Sequence, residues 1–335
     1  MRDGDTGDTP PTERPRVPTF MDHQHRTGPM ESSALLVMGV GGLGCRWARG
    51  AHSRISNESD LMLVDADAES FRGVSNAHCL HLDSTGSERG IAALPSLAAH
   101  RAVETLDEIR PVLGDAELVV ILAGLGGGTG TGATIELARA AKRNGAIVAV
   151  VAGLPFAEQT FRTRMAEDAL PSIEAVADVC IRVSLERLAW QSRSRRVDWI
   201  VGSGWIEELV EGLISTVAKL GKINLDLMDL KAVVRHEGRA TLIVASGPIE
   251  ALDGIASEAR KSPLIDISLD DARGCLIQVE GGPDMTLSHI ASITEDFTAQ
   301  FNDNCQVILG ARVSDRLIGR IRLVAVVSGL EKPAI

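Results

Sequence analysis

From residue 34 onward, unbroken apolar runs alternate with amphipathic stretches. Runs at 34–38, 61–64, 118–123, 146–152 and 179–183 read as strands, and helical periodicity falls at 92–109, 133–143 and 157–177, with another helix starting near Cys45. Strands that are apolar on both faces and separated by helices predict an α/β fold, a parallel sheet covered on both sides. Residues 199–220 predict one long helix with Ile206, Leu209, Val210, Leu213 and Val217 on a single stripe. Gly202, Ser203 and Gly204 weaken its first turn. Beyond it the pattern returns to strands at 241–245, 275–279, 306–309 and 321–327, with helices at 249–261 and 287–301, a smaller α+β C-terminal part. Residues 1–32 are rich in Asp, Thr, Pro, Arg and Gly without periodicity and read as a disordered tail. Its basic half (Arg14, Arg16, His23, His25, Arg26) reads as a solvated leader or as a contact for a membrane or partner.

Composition narrows the function class. A length of 335 residues with 44% hydrophobic positions suits about two domains with real cores. A net charge of −11 argues against a general nucleic-acid partner, which usually requires a basic surface. Five scattered cysteines, with no CxxC or Cys/His metal spacing, suit reduced thiols in a cytoplasm; Cys180, Cys275 and Cys305 fall in expected strands. No run of about 18 apolar residues marks a transmembrane helix, and no apolar leader marks a secretory signal. With no Tyr, six Phe and four Trp, the cores must be aliphatic.

Two glycine segments carry the chemistry. Gly126-Gly127-Gly128-Thr129-Gly130-Thr131-Gly132 lies between the apolar run 118–123 and the helical pattern 133–143. Strand, glycine loop and helix make an anion site: glycine lets backbone approach a phosphate, and the helix start offers unpaired N–H groups. The threonine hydroxyls add donors. The other segment, Gly39-Val40-Gly41-Gly42-Leu43-Gly44, follows the first strand, and Asp65 ends the next. Alone it reads as a dinucleotide-binding fingerprint with an acid for a ribose hydroxyl. A simple dinucleotide fold has no place for the second glycine loop.

The heptapeptide 126–132 resembles the tubulin/FtsZ signature in its FtsZ form, and the resemblance extends over residues 34–330. It implies a parallel-sheet nucleotide-binding domain at 33–198, a long central helix at 199–222, a smaller C-terminal domain at 223–330 and a short tail at 331–335. It makes Gly41, Gly42, Leu43, Gly44, Cys45 and Arg46 the first phosphate-facing loop. Asp65 and Asp67, in Asp65-Ala66-Asp67-Ala68, match the next nucleotide loop, Asn-Thr-Asp-Ala in typical members. Pro155-Phe156-Ala157-Glu158 and Arg162 resemble Pro-Phe-x-Phe-Glu-Gly-x-x-Arg with one residue missing before the Glu. Glu158 and Arg162, four apart, would share a helical face, as a surface ion pair or, by the resemblance, facing the nucleotide. In Asn224-Leu225-Asp226-Leu227-Met228-Asp229, after the long helix, the resemblance implies two acids inserted into the next subunit's nucleotide site, with Asn224 supporting the loop. A carboxylate can orient water for attack on a terminal phosphate. Two Asp before an apolar segment also suit helix capping.

Four departures from the family pattern cluster at the base and the γ-phosphate. Gly90-Ile91-Ala92-Ala93-Leu94-Pro95 retains only traces of Gly-Ala-Gly-Ala-Asn-Pro, and Leu185 stands where Asn is expected beside the base. Gly204 stands near the guanine-reading Asp, with Asp198 or Glu207 as substitutes after a local shift, and Arg46 replaces Asn. Trp199 aligns with the aromatic that stacks on the base. The chain stops at Ile335, so no C-terminal adaptor-binding peptide is expected. The resulting expectation is a cytoplasmic, head-to-tail filament former that hydrolyses GTP to GDP between subunits, with Mg2+ held through the phosphates. The alternatives are a non-hydrolysing paralogue that co-assembles with a true FtsZ, and a dinucleotide-dependent oxidoreductase.

Overall fold

Residues 34–82, 94–195, 204–260 and 268–331 are described by the computed structural model. Strands β1 (Leu35–Val40), β2 (Asp60–Asp65), β3 (His78–His81), β4 (Leu118–Gly124), β5 (Ile147–Leu154) and β6 (Val179–Ser184) form one parallel sheet. The spatial order is β3-β2-β1-β4-β5-β6. Strand order reverses at β1, so helices leave β1 and β4 toward opposite faces and a crevice opens beyond their carboxyl ends. Every residue of β1 is buried, Leu35 and Val37 on one face and Leu36, Met38 and Val40 on the other. That two-sided burial is why its sequence shows no polar alternation.

Helix α1 (Gly41–Ile55) covers one face of the sheet. The other face carries α2 (Pro95–Glu104), α3 (Leu106–Leu113), α4 (Gly128–Arg143) and α5 (Thr160–Val176). Helix α6 (Leu185–Arg195) follows β6 and buries Leu185 and Leu188 on the α1 side. The central helix α7 (Trp205–Ala218) then presents Ile206, Leu209, Val210 and Leu213 to the shared core, and Val217 packs at its margin. After α8 (Leu227–Val234) come β7 (Arg239–Pro248), α9 (Leu252–Arg260), β8 (Gly274–Gly281), α10 (Leu287–Thr298), β9 (Gln306–Val313) and β10 (Arg320–Leu330). These strands form a second sheet, ordered β7-β10-β8-β9, antiparallel except for β8–β9. Leu242, Leu276, Val324 and Val326 of this sheet join α7 and the first sheet in one core. Helices α9 and α10 cover its other face.

A buried charge network crosses the same junction. Glu280 of β8, 1% exposed at its side chain, pairs with Arg312 of β9 and Arg322 of β10. Arg322 reaches Glu211 of α7 at 3.5 Å, and Glu211 reaches Arg54 of α1 at 3.5 Å. Arg312 also donates to the Ser215 carbonyl of α7 at 2.8 Å. Burial lowers the Arg312 pKa, opposed by the charge of Glu280. One carboxylate thus serves two guanidiniums and ties the second sheet to the central helix.

Several elements differ from the sequence expectation. The glycine segments are first helical turns rather than loops: α1 starts at Gly41, not near Cys45, and α4 starts at Gly128, not at residue 133. Close packing forces this. A Cβ on Gly44 would overlap the Leu122 carbonyl, and one on Gly130 the Gly124 carbonyl. The expected helix 92–109 is two helices, broken at Thr105, whose hydroxyl bonds back to the Arg101 carbonyl at 3.0 Å. Strand β3 and helix α6 are additional elements with few apolar positions, and α8 is an additional short helix formed by the apolar segment after Asp226. Cys180 and Cys275 lie in strands, while Cys305 immediately precedes β9. The tail 1–32, the start of the long helix at 199–203 and residues 90–93 lie outside the described residues.

Removing Glu280 leaves Arg312 and Arg322 facing each other without their common counter-charge. Glu280→Ala should therefore destabilise by about 3–5 kcal/mol, and Glu280→Gln by less. Thermal unfolding reads this as a fall in Tm on the order of 10 °C for the alanine variant. An unchanged Tm would show that the network contributes nothing.

Candidate functional site

Two helix starts converge on one cavity of about 230 Å³ beyond the ends of β1 and β4. Gly41, Gly42 and Leu43 come from the start of α1, and Gly127, Gly128, Thr129 and Gly130 from the start of α4. Gly124 and Leu125 form the β4 end; Pro155, Gln159, Arg162 and Leu185 form a further wall, and Asp65 enters from β2. Neither Val40 nor Gly127, the N-cap residues of α1 and α4, supplies a side-chain cap. The first N–H groups of an α-helix have no partner within the helix. Here they meet a cavity at the positive ends of two helix dipoles, a setting that favours an anion.

Glycine is required where these segments touch. Gly41 has φ of +73°, and a Cβ there would lie 3.0 Å from the Gly130 nitrogen. Gly126 has φ of +86°, and its Cβ would meet the Arg162 carbonyl and Pro155 ring at 2.7 Å. Gly127 differs: a Cβ there meets no atom within 4 Å, so its bareness leaves room rather than relieving a clash.

The remaining expected residues divide by position. Thr129 lines the cavity beside Asp65. The Thr131 hydroxyl instead accepts the Gly126 N–H at 2.9 Å and braces the turn. Gly44, Cys45, Arg46, Asp67, Gly126, Thr131, Gly132 and Glu158 lie outside the lining. Cys45 is buried, donating weakly to the Gly39 and Val64 carbonyls, and burial pushes its thiol pKa up. Asp67 accepts the Glu69 N–H at 3.0 Å as the cap of a short 3-10 turn. Glu158 precedes α5 rather than sharing a helical face with Arg162, and among the described residues no ion pair joins them. Trp199 and Asp198 lie outside the described residues. Glu207 is buried against Gly50 of α1, away from the cavity, and Gly204 caps α7 at φ of +77°. Gly124, Leu125, Pro155, Gln159 and Leu185 complete the wall. Only the motif around Pro155 and the departure at Leu185 point to any of them in sequence.

Asn224, Asp226 and Asp229 form a second group, none of which lines the cavity. Asn224 Oδ1 accepts the Gly221 N–H at 2.7 Å. Backbone bonds from Lys222 and Ile223 to Ala311 fasten the loop to β9. Asp226 and Asp229 form a capping box on α8: Asp226 Oδ1 accepts the Met228 and Asp229 N–H groups, and Asp229 Oδ2 accepts the Asp226 N–H. Capping is therefore real. It uses one oxygen of each carboxylate; the other has no protein partner among the described residues.

Metal ligation by side chains alone has no obvious place: among the described residues no three His, Cys, Asp or Glu cluster to hold an ion. Asp65 is the carboxylate in the cavity wall. It is 5% exposed, accepting the Ser70 hydroxyl at 2.5 Å and the Ala66 N–H at 2.8 Å. Burial raises its pKa, and these hydrogen bonds oppose the rise. An unfolded-chain carboxyl ionises first, so Asp65 loses stability for the fold as pH climbs from the ordinary carboxylate range through its raised value. Asp65→Asn keeps a hydrogen-bonding group without the charge. In nucleotide-free protein, the variant's Tm relative to wild type should rise as pH climbs above the ordinary carboxylate range and then level off. A difference independent of pH would contradict the burial cost.

Comparison with known proteins agrees with this arrangement. Residues 34–190 match the Tubulin/FtsZ family GTPase domain, and residues 242–331 match the FtsZ family C-terminal domain. Cell division protein FtsZ 1 of Archaeoglobus fulgidus is 30% identical over 310 residues, covering 90% of this chain and 84% of that protein. The FtsZ of Methanothermobacter thermautotrophicus is 30% identical over 308 residues, covering 90% and 80%. Among solved structures, a point mutant of M. jannaschii FtsZ superposes with a TM-score of 0.78 at 25% identity, covering 88% of this chain and 91% of that one. CetZ2 from Haloferax volcanii, in a GTPγS-bound protofilament, shares the fold with a TM-score of 0.72 at 21% identity, covering 89% and 93%. The strand order alone is common to dinucleotide-binding sheets, but both halves of this sequence match one family: the chain belongs to the tubulin/FtsZ family, as a divergent FtsZ-like member.

Proposed function

We propose that this chain binds GTP and GDP in the cavity, assembles head to tail, and hydrolyses GTP where one subunit's Asp226 and Asp229 meet the next subunit's nucleotide. The convergence of the uncapped α1 and α4 starts on one cavity carries the reading. In it the backbone N–H groups at 41–43 and 128–130 receive phosphate oxygens, and the Arg162 guanidinium adds a positive charge. Mg2+ would be held by the phosphates and water, supplying further charge neutralisation. Asn224 holds the loop, and the capping box fixes the two carboxylates so that their remaining oxygens can orient a water molecule.

Surface chemistry supports assembly. Beside the acids, Leu220 is 86% exposed and Met228 64% exposed, with Ile223 also at the surface. Flanking the cavity, α6 exposes Trp190 at 71% and α5 exposes Phe161. Apolar groups this open on two surfaces suit contact with another copy. A true FtsZ is a second candidate partner. Among the described residues no helix is long and apolar enough to cross a membrane, and we place the protein in the cytoplasm.

The non-hydrolysing reading draws on the capping box, which gives both acids a structural task. Mixing separates the two. Asp229→Ala should abolish hydrolysis while leaving nucleotide affinity intact, and wild-type specific activity should rise with protein concentration. Gly127→Leu should fill the cavity and weaken nucleotide binding tenfold or more, about 1.4 kcal/mol. The mixture of the two variants should regain activity, because each supplies what the other lacks. Activity per chain that stays constant down to monomeric dilution would sink the shared site. Full assembly of wild type without phosphate release would leave the non-hydrolysing paralogue.

Base selectivity should be relaxed. Leu185 lines the cavity and offers no hydrogen bond where the family pattern has Asn. Competition binding should show GTP preferred over ATP by less than about a thousandfold, since an apolar Leu185 in place of a hydrogen-bonding reader discriminates weakly between bases. A larger preference would require a base reader elsewhere.

A further inference from the structure

The start of α10 is held by a histidine that accepts a hydrogen bond. Thr286 Oγ1 accepts the His289 N–H at 3.3 Å, and His289 Nδ1 accepts the Thr286 N–H at 3.3 Å. This is a reciprocal capping box, a form that ordinarily closes with Glu or Gln. A ring nitrogen accepts only while it carries no proton. Protonation puts a hydrogen on Nδ1, ends that bond and sets a cation at the positive end of the α10 dipole. Imidazoles take up that proton between about pH 5 and 8. His52, His81 and His100 respond in the opposite sense. Nε2 of His52 and of His81 faces the Ser59 and Ala66 carbonyls, and His100 faces Glu104, contacts that an imidazolium keeps or strengthens.

The charged groups around α10 are engaged elsewhere or face solvent. Among the described residues no carboxylate pairs with His289. The sheet face beneath is apolar, with Ile277, Val279 and Leu323 in one core with Ile290 and Ile293. Glu280, Arg312 and Arg322 belong to the α7 side. On α9, Asp253 stands by Asp296 and Arg260 donates to the Asp296 carbonyl, about two turns beyond His289 along α10. Glu258 of α9 and Glu295 of α10 do not pair with the ring. Asp284, just before the box, accepts the Gly319 N–H at 2.9 Å. Asp315 and Arg316 of the 3-10 turn Asp315–Leu317 are exposed.

The box stands at the end of the second sheet to which the acid loop is fastened. The Gly281 carbonyl, ending β8, accepts the Ser314 N–H just past β9, and Gly282 packs on the Ile318 backbone. Ala311, which holds Lys222 and Ile223, is two residues before the end of β9. Leu287, Val313 and Ile318 are exposed at this end and add to the exposed apolar set of Leu220, Ile223 and Met228.

We propose that the Thr286–His289 box is a proton-sensitive clasp. With His289 neutral it orders the first turn of α10 and the apolar end of the second sheet for contact with another copy; acid releases it and weakens assembly. This is regulation of the proposed assembly and rests on that reading. A chain whose contact turn is ordered only part of the time binds in proportion to that fraction. The loss of one cap is worth about fivefold.

The test measures, by sedimentation of the full chain with GTP and Mg2+, the critical concentration for assembly at about pH 7.5 and about pH 5.8. GTP affinity is measured alongside. His289→Gln keeps an acceptor that does not titrate, and His289→Ala keeps none. On acidification wild type should lose about fivefold more in assembly than His289→Gln. His289→Ala should assemble weakly already at the higher pH. GTP affinity should be the same in all three, because the box lies outside the cavity. An equal pH response in wild type and His289→Gln overturns the proposal, whether or not the alanine variant folds. Wild type that binds GTP but sediments at neither pH overturns the assembly reading, and this inference with it.

Discussion

The structure depends on the close approach of two helix starts, α1 and α4, across the carboxyl ends of β1 and β4. The approach is possible because glycine occupies the contacts. Gly41 nearly touches Gly130, Gly44 rests on the Leu122 carbonyl, and Gly130 rests on the Gly124 carbonyl. A side chain at any of these would push a helix off the sheet. With them bare, unpaired N–H groups from two first turns face one cavity rather than solvent. Such an arrangement is anion-seeking before any side chain is counted. The charged groups on the wall, Asp65 and Arg162, then tune a site whose main element is backbone.

The second constraint is the central helix. Helix α7 packs between α1, which covers the first sheet, and strands β7 and β10 of the second, so its apolar stripe joins the two in one core. Glu280, Arg322, Glu211 and Arg54 run from the second sheet through α7 to α1. The acid loop that follows α7 is pinned to β9 through Ala311. In this way the cavity and the acid loop are separate parts of one packed unit, which suits a site completed by two subunits. The loop's carboxylates combine two uses. One oxygen of each holds α8, and under the proposed function the other would serve a neighbour.

Much of this is legible in the sequence because it is local. Parallel strands buried on both faces read as continuous apolar runs, and the runs at 118–123 and 146–152 match β4 and β5 almost to the residue. The two glycine segments announce the site through their position between a strand and a helix. Their conformation is harder to read. Propensity counts glycine as a poor helix former and so places the start of α4 at residue 133; tertiary contact with β4 and Pro95 overrides that preference and extends the helix back to Gly128. Strand β3 and helix α6 escape the pattern because each buries only a few apolar side chains. The cavity wall is the least legible part. Gln159, Leu125 and Gly124 share no motif, and the spacing of Glu158 and Arg162 suggests a helical face that the chain does not form. Sequence spacing places side chains on one face only once both residues are inside the same helix.

The central claim is that the α1 and α4 starts act together as one phosphate site. Amide hydrogen exchange, followed residue by residue with and without GTP and Mg2+, tests it directly. The account predicts that amides at 41–43 and at 128–130 gain protection together, with the same dependence on nucleotide concentration, while amides of α9 and α10 are unaffected. Protection of one segment without the other, or of neither at saturating nucleotide, would contradict it.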